Sequence, residues 1–246
     1  MAPYLAPEWL EVEKELGGRL VLGGTMENYR AGGEAIGKYI RAHLPPPRDD
    51  GLECGDEKIN DNVTTYKNAS KLGGDQKRVF MLGSSCGGTL SLATAHRLIE
   101  LGREGQLKGV INMAGGTVHP ANVPKHLQYL MKSMEENATD VPIIDGQTAK
   151  MINASTGLDK HVDDEWLFPL LSSHLDKFPR TYLVACGADP LRDDNVAMEH
   201  ELRSKGIDVK LDTYEGLPHV FWMFPTLSAT KTFIGNLLAG IKFILE

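Results

Sequence analysis

The stretch Phe80-Met-Leu-Gly-Ser-Ser-Cys-Gly-Gly88 decides how this chain folds. It contains Gly83-Ser84-Ser85-Cys86-Gly87, a G-x-S-x-G pattern between a short apolar run and a helical pattern. Such a pattern is typical of a tight strand-to-helix turn that exposes a nucleophile. The helix N-terminus behind the turn favours negative charge on a reacting oxygen. Ser85 is therefore the candidate nucleophile, and the backbone N–H of Cys86 is the candidate oxyanion donor. The alternative interpretation of the pattern is a turn that only packs a helix on a sheet.

Strand and helix patterns alternate around this turn, which predicts an α/β fold with a parallel sheet. Short apolar runs bounded by turn residues predict the strands, and apolar periodicity predicts the helices between them. The predicted strands are residues 78–82, 108–113, 180–186 and 209–214, and the predicted helices that flank them are 88–101, 196–205 and 227–245.

Two regions outside this alternation are predicted to cover an active site. The N-terminal region has helical patterns over 6–16 and 27–44, then a polar loop over 48–62 and a helix over 63–71. The long, less regular stretch 119–175 contains one helical segment near 123–136, and insertions of this size are typical of lids. We expect one domain over residues 1–246, with lid elements at about 1–47 and 119–175.

An acid and a base follow the last two predicted strands. Asp189 lies in Cys186-Gly-Ala-Asp-Pro-Leu-Arg-Asp193, and His219 lies in Tyr214-Glu-Gly-Leu-Pro-His-Val-Phe-Trp222. The functional loops of parallel sheets gather at the carboxyl ends of the strands. The order Ser, Asp, His along the chain is also the order found in proteins whose nucleophile lies on a G-x-S-x-G turn. Taken singly, Asp189 reads as a turn residue and His219 as a loop residue. Together with Ser85 they predict a catalytic triad.

Other polar residues near these motifs have structural interpretations. Asp193 and Asp194 are expected to cap or start the following helix, where acidic side chains favour the helix dipole. His96 and His200 fall within helical patterns and are expected to lie on the surface or in packing contacts. The thiol of Cys86 is expected only to pack.

Composition excludes several classes of function. The chain has 246 residues, of which 41% are hydrophobic and 24% charged, and its formal charge is −7. With no basic tract, neither nucleic acid nor an anionic membrane is the expected partner. Three separated cysteines (Cys54, Cys86 and Cys186) form neither a disulfide framework nor a metal pattern. The N-terminus lacks the features of a signal peptide, so the expected location is cytoplasmic.

The motifs resemble the hormone-sensitive-lipase-like branch of the α/β-hydrolase superfamily, particularly its small fungal esterases. The resemblance rests on the Ser85 turn, on Asp189-Pro-Leu-Arg-Asp-Asp194 and on the His219 segment, with weaker likeness at 119–124 and 6–9. It implies a serine carboxylesterase acting on a small-molecule ester, similar to versiconal-acetate-type esterases of fungal secondary metabolism. No metal or organic cofactor is implied, and a homo-oligomer is compatible with the resemblance.

The sequence departs from that family at the oxyanion segment. The family carries an HGGG-type motif on an early loop, and this chain has no His-Gly-Gly. The early strands lack counterparts too, so a sheet shortened in its N-terminal half is expected. Ser84 and Cys86 replace the acidic residue and the Ala that relatives carry beside the nucleophile. Two interpretations stay open: an esterase with another oxyanion donor, or an inactive or non-hydrolytic protein that serves as a binding module or biosynthetic helper.

Overall fold

A four-stranded parallel sheet forms the centre of the protein, for which a computed structural model describes residues 4–44 and 73–246. The strands lie in the order β1-β2-β3-β4, and every neighbouring pair is parallel, which confirms the predicted sheet. Their bounds are Phe80–Ser84 (β1), Gly109–Met113 (β2), Arg180–Ala188 (β3) and Val209–Pro218 (β4). β1 begins later than predicted because Gln76–Arg78 form a 3-10 turn, which Asp75 caps by accepting the Lys77 N–H.

Helices cover both faces of the sheet, because apolar residues lie on both faces of its strands. Successive residues of β3 point to opposite faces and nearly all are buried, as expected for a parallel strand between two helical layers. Tyr182 and Val184 belong to one core and Leu183 to the other. The helices are Pro7–Leu16 (α1), Met26–His43 (α2), Cys86–Glu100 (α3), Ser133–Glu136 (α4), Gly146–Thr156 (α5), Arg192–Ser204 (α6) and Ser228–Leu245 (α7).

The two N-terminal helices form where their patterns predicted them and pack on the core. α1 begins with Pro7 and ends at Gly17, whose φ of 83° is the left-handed conformation that glycine adopts readily. Trp9 is 1% exposed and meets Phe224 edge to face, with ring centroids 4.8 Å apart. This contact fixes α1 against the segment that follows β4.

The stretch 119–175 differs from its prediction. Instead of one helix near 123–136, a 3-10 helix over Lys125–Leu130 is followed by the four-residue α4. The break has a clear cause, because the Asp193 carboxylate accepts the N–H groups of Lys132 and Ser133, each at 2.6 Å. α5 was not predicted; Asp145 caps its first turn by accepting the Thr148 N–H at 2.8 Å.

Part of the predicted N-terminal region lies outside the described residues, namely the loop over 48–62, the helix over 63–71 and Cys54. Within residues 4–44 and 73–246, no helix combines the length and apolar character that crossing a bilayer requires. The single-domain and lid boundaries stay predictions.

Candidate active site

Ser85 occupies a strained backbone conformation at the turn between β1 and α3. Its φ of 56° and ψ of −126° lie where non-glycine residues are rare, at a cost of about 1–3 kcal/mol. The Ser85 N–H donates to the Met113 carbonyl of β2 at 2.8 Å, and its carbonyl accepts the Gly88 N–H at 2.9 Å. These bonds hold the strained turn, so the side chain stands clear of both β1 and α3.

Two glycines permit the close approach of strand and helix at this turn. A Cβ on Gly83 would overlap the Gly87 carbonyl, and a Cβ on Gly88 would overlap the Asn112 side-chain oxygen. A Cβ on Gly87 would meet nothing within 4 Å. The close approach therefore requires a glycine at Gly83, the first in the motif, but not at Gly87, the last.

The structure brings together the three residues of the predicted triad. His219 Nε2 lies 2.9 Å from Ser85 Oγ, and His219 Nδ1 lies 2.7 Å from Asp189 Oδ2. Asp189 is 0% exposed and His219 is 4% exposed, so their contact is shielded from water. The arrangement is that of a nucleophile, a base and a group that orients the base.

The ends of β3 and β4 place the acid beside the base. Ala188 and Pro218 are register partners, so the residues that follow them emerge next to each other at the carboxyl edge of the sheet. Asp189 Oδ1 accepts the Leu191 N–H at 2.9 Å, which leaves Oδ2 for His219. After His219 the chain turns sharply at Val220, whose φ is 52°.

Cys86 begins α3 directly after the nucleophile. The first N–H groups of a helix have no intrahelical acceptor, which is compatible with the Cys86 N–H as an oxyanion donor. That role stays a prediction. The prediction that the thiol only packs is wrong, because Cys86 is exposed and lines the space around Ser85. The Cys86 side chain follows Ser85 at the first helical position and faces the same space.

Two cavities meet at Ser85. The smaller has a volume of about 170 Å³ and lies between the start of α6 and the 119–175 stretch; the larger, of about 430 Å³, lies against α2. Both are lined by Ser85, Cys86, Ile144 and Ile152. Two largely apolar cavities that share Ser85 suit a molecule with two unlike groups joined at one centre.

Asp193 and Asp194 lie in the first turn of α6, which confirms the prediction that they start this helix, although neither side chain caps it. Asp193 holds the segment at Lys132 and Ser133, while Asp194 Oδ1 accepts the N–H groups of Thr117 and Val118 at 2.7 and 3.1 Å. Burial raises the pKa of Asp194 to about 7, against the opposing effect of these two hydrogen bonds. Asp194 also lines the smaller cavity, a role that an acidic residue in a first helical turn does not signal.

Two further histidines, His96 and His200, were expected to have structural roles. His96 is buried, with Nδ1 2.7 Å from Ser172 Oγ, and His200 lies on the surface, which confirms their structural interpretation. Across the described part of the chain, no group of three or more His, Cys, Asp or Glu residues is arranged to bind a metal ion.

Comparisons with known proteins point to a hydrolase fold. A family model for the alpha/beta hydrolase fold matches residues 56–223. A versiconal hemiacetal acetate esterase of Dothistroma septosporum is 37% identical over 76% of this chain and 58% of its own length. A second such esterase, from Aspergillus parasiticus, is 33% identical over 76% of this chain and 59% of its own length.

Solved structures show the same fold. Vibralactone cyclase superposes with a TM-score of 0.67 at 27% identity, over 74% of this chain and 53% of its own. Brefeldin A esterase, described as a bacterial homologue of human hormone-sensitive lipase, gives a TM-score of 0.61 at 22% identity, over 74% and 51% of the two chains. The chain thus spans little more than half the length of the relatives it matches.

Proposed function

Because this chain belongs to the α/β-hydrolase family, in its hormone-sensitive-lipase-like branch, we propose that it is a serine carboxylesterase that hydrolyses a small ester. The observation that carries the proposal is the continuous path of hydrogen-bond distances from Ser85 through His219 to Asp189. Relatives that are named as esterases support the same reaction.

The proposed mechanism begins with proton transfer from Ser85 Oγ to His219 Nε2 as Oγ attacks the ester carbonyl. Asp189 accepts the Nδ1–H of His219, keeps the ring in that tautomer and stabilises its cationic form. His219 then protonates the leaving alcohol, which departs and leaves an acyl group on Ser85. Water, deprotonated by His219, attacks the acyl carbonyl, and the proton returns to Ser85 as the acid is released.

The tetrahedral intermediate needs hydrogen-bond donors for its negative oxygen. The Cys86 N–H is one donor, and the positive end of α3 adds to the stabilisation. The family's second source, the HGGG segment, has no counterpart in the sequence. Loss of one donor costs about 3–4 kcal/mol of transition-state stabilisation, so a slow esterase is expected unless another group takes its place.

Replacement of Ser85 by Ala tests the proposal. Release of p-nitrophenol from p-nitrophenyl acetate should stop, because the acyl acceptor is gone, while the melting temperature stays close to that of the parent protein. Ser91→Ala is the matched control, since Ser91 lies on α3 and only donates to the Gly87 carbonyl at 2.9 Å. A fluorophosphonate should label the parent and the control but not Ser85→Ala.

A non-hydrolytic role is the second candidate, because the HGGG segment is missing from the sequence. A folded sample that neither hydrolyses the ester nor reacts with the fluorophosphonate would favour this binding or biosynthetic role. Activity that persists without Ser85 would contradict the assignment of the nucleophile.

The relatives' names support a finer proposal, that the substrate is an ester of a fungal secondary metabolite. Residues 119–175 are proposed to act as the lid that selects it, since Pro120, Met134 and Phe168 from this stretch line the smaller cavity. A cytoplasmic location and a homo-oligomeric state remain predictions from the sequence.

A further inference from the structure

The smaller cavity beside Ser85 is apolar apart from a few groups, and one of these is a buried carboxylate. Asp194 reaches this cavity from the first turn of α6. The cavity's volume of about 170 Å³ is close to that of an apolar cavity known to bind benzene. One substituted ring or a group of similar size therefore fits next to the nucleophile.

One oxygen of this carboxylate is engaged by the protein and the other is open. Oδ1 accepts the N–H groups of Thr117 and Val118, whereas Oδ2 accepts no hydrogen bond from any described residue. Asp194 is only 3% exposed and lines the cavity, and its side chain is held by the protein through Oδ1. We therefore take Oδ2 as the oxygen that faces the cavity.

An open carboxylate oxygen in an apolar cavity is unfavourable unless a donor approaches it. Burial already raises the pKa of Asp194 to about 7, which shows how poorly the site stabilises the charge. A hydroxyl group would supply the missing hydrogen bond at a small desolvation cost. An ammonium group would have to give up far more hydration to enter the same apolar space.

We propose that Asp194 is a specificity-determining residue that accepts a hydrogen bond from a hydroxyl group of the substrate. The preferred esters then carry a hydroxylated, ring-sized group in the smaller cavity. This inference rests on the proposed esterase function and names the class of substrate for the same site. A purely structural Asp194, which only holds the Thr117 segment, would give no such preference.

Binding to Ser85→Ala tests this inference without turnover. Phenyl acetate and its 2-, 3- and 4-hydroxyphenyl counterparts are titrated into Ser85→Ala by calorimetry. At a pH well above the pKa of Asp194 the acceptor is charged, and hydrogen bonds to charged groups are the stronger ones. At least one hydroxyphenyl ester should therefore bind about tenfold more tightly than phenyl acetate at that pH. Ser85→Ala combined with Asp194→Asn should bring the ratio close to one, with phenyl acetate affinity unchanged.

Asp193→Asn in the same background is the matched control. It removes a neighbouring buried charge that faces the Lys132 segment and not the cavity, so the preference should survive. The inference is overturned if no hydroxyphenyl ester binds more tightly than phenyl acetate, or if the preference persists in a folded Asp194→Asn protein. It is equally overturned if 3-(ammoniomethyl)phenyl acetate binds more tightly than all three hydroxyphenyl esters.

A variant that keeps the carboxylate covers the case in which Asp194→Asn does not fold. Asp194→Glu moves the acceptor by one methylene, so the order of affinity among the three hydroxyphenyl esters should change. An unchanged order would contradict contact with Asp194. Failure of the parent protein to hydrolyse phenyl acetate would count against the proposed esterase alone, since the binding preference is measured without Ser85.

Discussion

At the scale of single residues, the turn at Ser85 depends on how close two backbones can come. Ser85 takes a backbone conformation that costs free energy, and the bond from its N–H to Met113 stabilises it. The space for this turn exists because Gly83 has no side chain. The strain is thus located in the backbone of the residue that is proposed as the nucleophile, and the surrounding glycine contacts maintain it.

Gly83→Ala should therefore destabilise the protein and disrupt the turn, because its Cβ would overlap the Gly87 carbonyl, which cannot move without α3. We expect a loss of more than about 2 kcal/mol in the free energy of unfolding, together with loss of fluorophosphonate labelling. Gly87→Ala is the control, since its Cβ meets nothing within 4 Å, and alanine favours a helix by about 0.5–1 kcal/mol. Urea denaturation of both variants measures the difference, and equal stability of the two would refute this steric account.

Asp194 gives a second prediction at this scale, on stability and pH. Burial raises its pKa to about 7 from 3.8, so the folded state binds the proton more tightly than the unfolded state does. This group's contribution to stability is complete below about pH 4 and is lost as the pH rises to about 7. The loss is on the order of 4 kcal/mol at most. In Asp194→Asn the free energy of unfolding should lack this dependence on pH. The measurement compares the free energy of unfolding of the two proteins from pH 4 to pH 8, and parallel profiles would contradict the prediction.

At the scale of elements, α1 completes the start of α7. The Glu8 carboxylate accepts the Ser228 N–H and hydroxyl at 2.8 and 2.7 Å, and the Ala229 N–H at 3.3 Å. The residue before α7, Leu227, has no side chain that could cap it. A helix near the N-terminus of the chain thus supplies the cap of the last helix, across most of the sequence.

Glu8→Gln should lower the free energy of unfolding by about 1 kcal/mol, because a charged acceptor at a helix N-terminus is replaced by a neutral one. Glu11→Gln removes a charge from the same helix, but Glu11 only pairs with Lys14 on the exposed surface, so its effect should be close to zero. Thermal denaturation of the two variants separates the cap from general charge effects. A larger loss for Glu11→Gln would argue against the cap.

At the scale of the whole molecule, the space around Ser85 is assembled from segments far apart in the chain. The larger cavity has Leu22, Gly33 and Ile36 from the N-terminal region on one side and Met223 and Phe224 from the C-terminal region on the other. The 119–175 stretch contributes to both cavities. For the proposed esterase, substrate choice is therefore expected to depend on the assembled chain and not on the Ser85 turn alone.

Gly33→Leu should narrow the larger cavity, because Gly33 lines it and a Cβ there would meet nothing within 4 Å. Cleavage of p-nitrophenyl octanoate should fall about tenfold or more relative to the acetate, since only the larger cavity has room for the longer chain. Gly235→Leu on the exposed side of α7 is the control and should leave the ratio of kcat/KM values unchanged. An unchanged ratio in Gly33→Leu would place the acyl chain elsewhere.

The sequence was most informative where a local pattern and the chemistry coincide. The Ser85 turn, the parallel sheet and the order of Ser85, Asp189 and His219 were readable because strand, turn and helix patterns are short-range properties. The register of β3 and β4 then brings Asp189 and His219 together, as their positions after two strands suggested. Helix boundaries differ from the prediction where a side chain from another segment binds the backbone. Asp193 does so at Lys132 and Ser133.

Only the tertiary structure decided what surrounds the nucleophile. The sequence gives no sign that Asp194 turns away from its own helix to reach Thr117 and the smaller cavity, because side-chain direction depends on the neighbouring segments. The same holds for Cys86, whose thiol faces the space around Ser85. Local sequence thus determined the fold and the candidate catalytic residues, whereas long-range packing determined the shape and polarity of the candidate site.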